Sequence, residues 1–199
     1  CALPISTRVR SSLTGFPSVM ADGSVLPFEE NAAFTKKVVE VARNFDVDVE
    51  GELGHVGTAA DSDEFSRKEF FTRPDEVREF VEKTGVTSLA VSFGSAHGLY
   101  KSTPKLDIEH LKTLSAATDI PLVLHGGTGI PDDQLAQAFS NGINKINIGT
   151  EFFNLNTRLN QEFYAQDFSK ADPFGFPEYI QPRLTEYIAG RLELSKIVL

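Results

Sequence analysis

Five short apolar runs in this sequence each end in residues able to do chemistry. Asp22 and Gly23 follow the run 18–21, Glu52 closes 47–53, His97 and Gly98 follow 89–93, His125 and Gly126 follow 122–124, and Asn147 and Thr150 sit on and after 145–148. Singly, each is ambiguous: His97, in Gly94-Ser95-Ala96-His97-Gly98, serves equally as a loop residue, and His125 as a core residue bonded to backbone. Together, two histidines at successive strand ends, each followed by glycine, read as a split metal site. Neutral imidazole suits Zn²⁺, and a catalytic zinc takes three protein ligands while keeping a position open. Only two such histidines are visible, because His110 falls inside a helical pattern and is expected on a solvated face, while His55 lies in a long polar loop.

Two glycine-rich stretches, Leu124-His125-Gly126-Gly127-Thr128-Gly129 and Asn147-Ile148-Gly149-Thr150, follow the last two runs. Glycine lets backbone N–H groups approach an anion closely, and a helix N-terminus adds partial positive charge. The pair therefore reads as a phosphate site. Lys145 is placed at the entry of its strand, on the face that serves stability, which disfavours a Schiff-base mechanism because that would need the lysine inside.

The elements that must position these groups follow from periodicity. Each apolar run is rich in β-branched residues or leucine and is followed by a helical pattern, the alternation of a parallel βα sheet. Thr72 and Pro74 open a helix through Val77, Phe80 and Val81 that stops at Gly85. Asp107 opens one through Ile108, Leu111 and Leu114, and Pro131 one through Leu135, Ala138 and Phe139 that Gly142 ends. Ala33, Phe34, Val38, Val41 and Ala42 recur at helical spacing between Pro27 and Phe45. A further helix runs from Thr150 through Phe153, Leu155 and Leu159. The last spans 177–199, with Ile180, Leu184, Tyr187, Ile188 and Leu192 expected inward. The Asp-rich stretch 54–71 is too long for an idle connection and is expected to be a mobile active-site loop. In a parallel barrel all C-terminal strand ends open on one face, so five segments point at one pocket.

Composition narrows the partners. The chain of 199 residues, 41% apolar, is long enough for a sizeable core, and its net charge of −9 argues against a nucleic-acid backbone or an anionic membrane surface as partner. No apolar run reaches the roughly 18 residues of a membrane span, and the single cysteine, Cys1, forms no internal disulfide. A cytoplasmic setting is expected. Residues 1–12, beginning Cys1-Ala2-Leu3-Pro4-Ile5, read as a tail outside the folded domain that spans 13–199, its Ala-Leu-Pro-Ile matching a translated sequencing adapter.

With these residues in view, the chain resembles the class II fructose/tagatose-bisphosphate aldolases. The likeness rests on Ser18 to Ser24 followed by Pro27-Phe28-Glu29-Glu30-Asn31, on Val49-Glu50-Gly51-Glu52-Leu53-Gly54, on Gly94 to Tyr100, on the stretch 122–131 and on 145–150. The resemblance implies a (β/α)₈ barrel of which strands 4 to 8 and the C-terminal helices are present. It implies that His97 and His125 bind a catalytic Zn²⁺, and that Asp22 and Glu52 hold a second, divalent or monovalent, cation position. Gly98, Gly126, Gly127, Thr128, Asn147, Ile148, Gly149 and Thr150 would contact dihydroxyacetone phosphate. The implied reaction is reversible aldol cleavage of fructose 1,6- or tagatose 1,6-bisphosphate to dihydroxyacetone phosphate and glyceraldehyde 3-phosphate, by a homo-oligomer.

The family's catalytic Asp and a third zinc His share one strand end that nothing before Gly15 supplies, so this chain alone is expected to bind zinc poorly and not to turn over. Rival expectations are a non-catalytic phosphosugar-binding barrel and another phosphate-binding barrel isomerase or lyase.

Overall fold

The structure, a computed structural model, describes residues 15–54, 68–96, 98, 100, 103–165 and 172–195. The expectations placed on His97 and His55, on most of the 54–71 loop and on the tail 1–12 lie outside these residues.

Five strands, β1 (Ser18–Ala21), β2 (Asp48–Leu53), β3 (Ser88–Val91), β4 (Leu122–Leu124) and β5 (Ile143–Ile146), form one sheet in sequential order. All neighbouring pairs are parallel. Helices α1 (Phe28–Ala42), α2 (Pro74–Thr84), α3 (Ile108–Ser115) and α4 (Asp132–Ser140) connect them, and α5 (Thr150–Tyr164) and α6 (Phe176–Glu193) follow. This is the sequential parallel order of an incomplete (β/α)₈ barrel.

The helices begin and end where their sequences dictate. Pro74 opens α2 and Gly85, at φ 71°, closes it by donating its N–H to the Val81 carbonyl. The Asp107 carboxylate caps α3 by accepting from the His110 N–H. Glu29 and Glu30 occupy the first turn of α1, where the helix dipole favours them.

Strand alternation divides the sheet into two faces. Val49, Leu53, Leu89, Val91, Leu122 and Leu124 join Val38, Val39, Val77, Phe80, Leu111, Leu114, Leu135 and Ala138 in a single buried core between sheet and helices. Each fully buried Leu, Val or Phe adds about 1.5–3 kcal/mol of favourable burial. Gly51 is what lets Phe80 sit against β2, since a Cβ there would stand 3.0 Å from its ring. The residues on either side of Gly51, Glu50 and Glu52, consequently share the opposite face.

That second face carries the chemistry, and one irregularity shapes it. Leu122 pairs with Ile143 but Val123 pairs with Lys145, so Asn144 is an extra residue in β5. Its Oδ1 accepts the Leu122 N–H. Ile143 and Ile146 pack into the core while Asn144 and Lys145 turn the other way. The strand expected at 145–148 therefore begins two residues earlier, directly after Gly142. The φ of 121° there, and the closeness of Ser115 (2.4 Å from an added Cβ), leave no room for a side chain.

On α1 the buried residues are Asn31, Ala32, Thr35, Val38, Val39 and Ala42, with Phe34 partly buried against the core, and Asn31 and Thr35 satisfy each other and the end of β2. Two other expectations are corrected. On α6, Ile180 is buried but Ile188 and Leu192 remain half exposed, lining an open groove with Ile148 and Phe152. His110 is not simply solvated: its Nε2 lies 2.8 Å from the Thr72 carbonyl and its ring lies against Phe71.

Candidate active site

Glu50 and Glu52 project from β2 to the inner face, and His125 follows the last residue of β4 into the same space. All three are buried, His125 to 3% exposure. His125 Nε2 is 2.7 Å from Glu50 Oε1, and Nδ1 is 3.0 Å from Glu52 Oε2. On the far side of Glu50, Lys145 Nζ donates to Oε2 at 2.7 Å and to Asn147 Oδ1 at 2.8 Å. The lysine expected on the stability face is thus an inner-face residue, delivered there by the Asn144 bulge. The site is a chain of alternating charge: Lys145, Glu50, His125, Glu52.

The chain sets the protonation states. Burial draws the His125 pKa down, but hydrogen bonding and charge from Glu50 and Glu52 outweigh it and lift it to about 9. Burial alone would raise the Glu50 pKa, yet hydrogen bonds from His125 and Lys145, with their charges, hold it below the usual carboxylate value. At neutral pH the imidazole is therefore a cation held between Glu50 and Glu52.

The main chain of Glu52 is held as firmly as its side chain is placed. Asn31 Nδ2 donates to the Glu52 carbonyl at 2.8 Å, and Thr72 Oγ1 donates to the Leu53 carbonyl while accepting from the Ser92 N–H. Asp22 follows Ala21, whose partner across the β1–β2 register is Gly51, so Asp22 stands level with Glu52. Its Oδ1 accepts from the backbone N–H and the hydroxyl of Ser24.

The two glycine-rich turns meet. Gly127 donates its N–H to the Asn147 carbonyl at 3.1 Å, Asn147 donates to the Leu124 carbonyl, and the Ile148 side chain closes over Gly127. Gly149 precedes the first turn of α5, which Thr150 opens, and the Glu151 N–H donates to the buried Thr128 Oγ1. Gly126, at φ 69°, lies so close to Ala96 that an added Cβ would sit 2.1 Å from its carbonyl oxygen. Gly98 also has a left-handed backbone, at φ 97°.

Of the residues expected at the site, His125 and Glu52 are in direct contact, and 126–128 with 147–150 form one joined surface beside them. Sequence reasoning gave no site role to Glu50 or Tyr100 and put Lys145 on the wrong face. For Glu50 a signal existed: it lies two residues before Glu52 on a strand and must share its face.

Glu52 Oε2 is buried and has no aligned hydrogen-bond donor, although it faces the His125 ring at 3.0 Å. A buried carboxylate oxygen and an imidazole nitrogen facing one another are ligand types that fit a zinc position. Among the described residues no group of three or more His, Cys, Asp or Glu is arranged as a complete metal site.

A family model described as fructose-bisphosphate aldolase class-II matches residues 4–196. The chain belongs to the class II fructose-bisphosphate aldolase family. It is 46% identical over 143 residues to the D-tagatose-1,6-bisphosphate aldolase subunit GatY of Klebsiella oxytoca, a match covering 71% of this chain and 50% of that one. The chain thus spans about half the length of that curated relative. Among solved structures, the YdjI aldolase of Escherichia coli K12 superposes with a TM-score of 0.82 at 33% identity, covering 97% of this chain and 66% of that one. The fructose-bisphosphate aldolase of Campylobacter jejuni gives 0.59 at 26% identity, covering 96% and 62%.

Proposed function

We propose that this class II aldolase chain belongs to a zinc-dependent ketose-bisphosphate aldolase that reversibly cleaves fructose 1,6- or tagatose 1,6-bisphosphate. The observation that carries the reading is His125, held between Glu50 and Glu52 at the C-terminal end of the sheet and beside the joined turns 126–128 and 147–150. The GatY likeness supports the tagatose substrate.

In this reading His125 turns toward the zinc position, to which the sequence adds His97, and Asp22 and Glu52 hold the second cation position beside it. When bound, zinc supplies Lewis-acid polarisation of the substrate ketone and stabilises the negative charge that develops on carbon–carbon cleavage. The residues of this chain do the rest. His125 gives up the proton on Nδ1, which faces Glu52, and keeps the one on Nε2, which Glu50 accepts. Glu50 is in turn held by Lys145, so the imidazole cannot rotate away. Asn147, fixed through Lys145 and through its own backbone bond to Leu124, presents its side chain beside the glycine turns. The Gly98, Gly126 to Thr128 and Ile148 to Thr150 backbone, with the α5 N-terminus behind it, receives the phosphate of dihydroxyacetone phosphate. An acidic chain thereby holds an anion through local dipoles.

The same proposal extends to setting. No described helix is long and apolar enough to cross a membrane, and we place the enzyme in the cytoplasm as a homo-oligomer, in keeping with the word subunit in the name of its relative. The deciding experiment is coupled aldol cleavage by the intact protein with each sugar bisphosphate, before and after chelation and on zinc re-addition. Cleavage of neither substrate, or cleavage indifferent to chelation, would overturn the reading.

A further inference from the structure

Tyr100 touches both segments that meet beneath the candidate site. Its hydroxyl accepts the Ala96 N–H at 2.7 Å and donates to the Gly126 carbonyl at 3.0 Å. Ala96 closes the segment after β3, and Gly126 is the residue after His125. The ring edge also lies against Gly129, where an added Cβ would be 3.4 Å away. A single phenol therefore bridges the β3 segment and the β4 turn, 26 residues apart from its own position to Gly126.

The contact is independently marked by backbone geometry. Gly126 adopts φ 69° and approaches Ala96 so closely that any side chain would strike the Ala96 carbonyl. The segment is also pinned beyond Tyr100: Gln134 on α4 accepts from the Leu106 N–H and donates to the Pro104 carbonyl. Pro104 and Leu106 are thus held to α4, and Ala96 and Gly126 are joined through Tyr100. Burial pushes the Tyr100 pKa up to about 12, partly offset by the Ala96 N–H, so the hydroxyl keeps the proton it donates.

We infer that Tyr100 is a positioning residue: its hydroxyl fixes the turn carrying His125 to the segment after β3, and so sets where the His125 imidazole meets a metal. The inference rests on the zinc-aldolase reading above. Tyr100 touches the backbone of Gly126, next to the ligand, and of Ala96 on the facing segment, and acts through them, as outer partners of metal ligands do.

The test is Tyr100→Phe in the intact protein, which keeps the ring and removes only the oxygen. Zinc affinity is measured by chelator competition, the visible spectrum is read on the Co²⁺-substituted protein, and thermal melting and Ala96 amide exchange are followed alongside. The expected result is zinc affinity lower by about 10–100-fold, an altered Co²⁺ spectrum, and faster Ala96 exchange in a variant that still melts cooperatively. Unchanged zinc affinity and spectrum in Tyr100→Phe, with a parent that binds zinc normally, overturn the inference and leave the aldolase reading standing. A parent that binds no zinc overturns the reading, and the inference with it. If Tyr100→Phe does not fold, Gln134→Ala loosens the same segment from its other end. It must then lower zinc affinity in the same direction, and an unchanged affinity there overturns the inference equally.

Discussion

Lys145 on β5 reaches past two intervening strands to Glu50 on β2, Nζ to Oε2 at 2.7 Å, and the other oxygen of that carboxylate is spent on His125. The lysine is half exposed whereas Glu50 is buried, so one end of the pair sits in solvent and the other in the low-dielectric interior. Replacing Lys145 by Met removes one hydrogen bond and one positive charge from Glu50. The Glu50 pKa is expected to rise toward that of an ordinary carboxylate, measured by ¹³C NMR of the labelled side chain across a pH titration. A Glu50 titration that does not move on substitution would mean that Lys145 is not its partner in solution.

His125 is the joint of the site, and removing it has two separable effects. His125→Ala leaves Glu50 and Glu52 buried without their shared cation, which is expected to destabilise the metal-free protein by roughly 3–5 kcal/mol, read from denaturant unfolding. It should also abolish zinc occupancy and aldol cleavage together. Full zinc content by metal analysis in a folded His125→Ala protein would remove this residue from the ligand set.

The pKa shifts fix a pH window with a definite sign. The His125 pKa is raised from 6.5 to about 9 in the folded state, so its contribution is complete below 6.5 and is lost as pH rises through about 9. The Glu50 pKa is lowered from 4.5, so its contribution is complete above 4.5 and is lost as pH falls through its folded value. Both are fully present between 4.5 and 6.5. Unfolding of the metal-free protein is therefore expected to show the largest contribution from this pair in that interval. Zinc, by contrast, must displace a proton from His125, so its affinity should climb by about tenfold per pH unit up to about 9. Isothermal titration in buffers of different ionisation enthalpy would count the released protons, and a count of zero would exclude His125 as the ligand.

Gly126 tests the close approach of the two turns. An alanine there must take a left-handed backbone and place its Cβ 2.1 Å from the Ala96 carbonyl oxygen. The expected cost is more than about 2 kcal/mol, read as a lowered melting temperature, together with loss of phosphate-anion binding by the intact protein. Gly98→Ala, where none of the described residues lies within 4 Å of the added methyl, should cost less because the backbone preference is the main thing disturbed. Equal destabilisation by the two would contradict the packing described.

Much of the architecture was legible in the residue order. Pro74 and Gly85 bound α2 because one needs no N–H and the other tolerates φ 71°, and Asp107 caps α3; such rules act over a few residues. The parallel βα alternation likewise follows from apolar spacing. Where the reading slipped, the deciding contact was distant. His110 looked solvated because nothing in its own helix shows that Thr72 and Phe71 stand across from it. Ile188 and Leu192 looked inward because an amphipathic stripe does not reveal whether a partner surface covers it.

The sequence by itself determined that Glu52, His125 and Asn147 lie at the ends of three βα units and that glycine turns follow two of them, because periodicity and turn chemistry are properties of neighbouring residues. Only the tertiary structure decided that Glu50 and His125, 75 residues apart, are hydrogen-bonded, that one extra residue in β5 swings Lys145 onto the inner face, and that Tyr100 joins two segments. Those outcomes depend on strand order, register and a single bulge, and a one-residue change in pairing sends a side chain to the opposite face of the sheet.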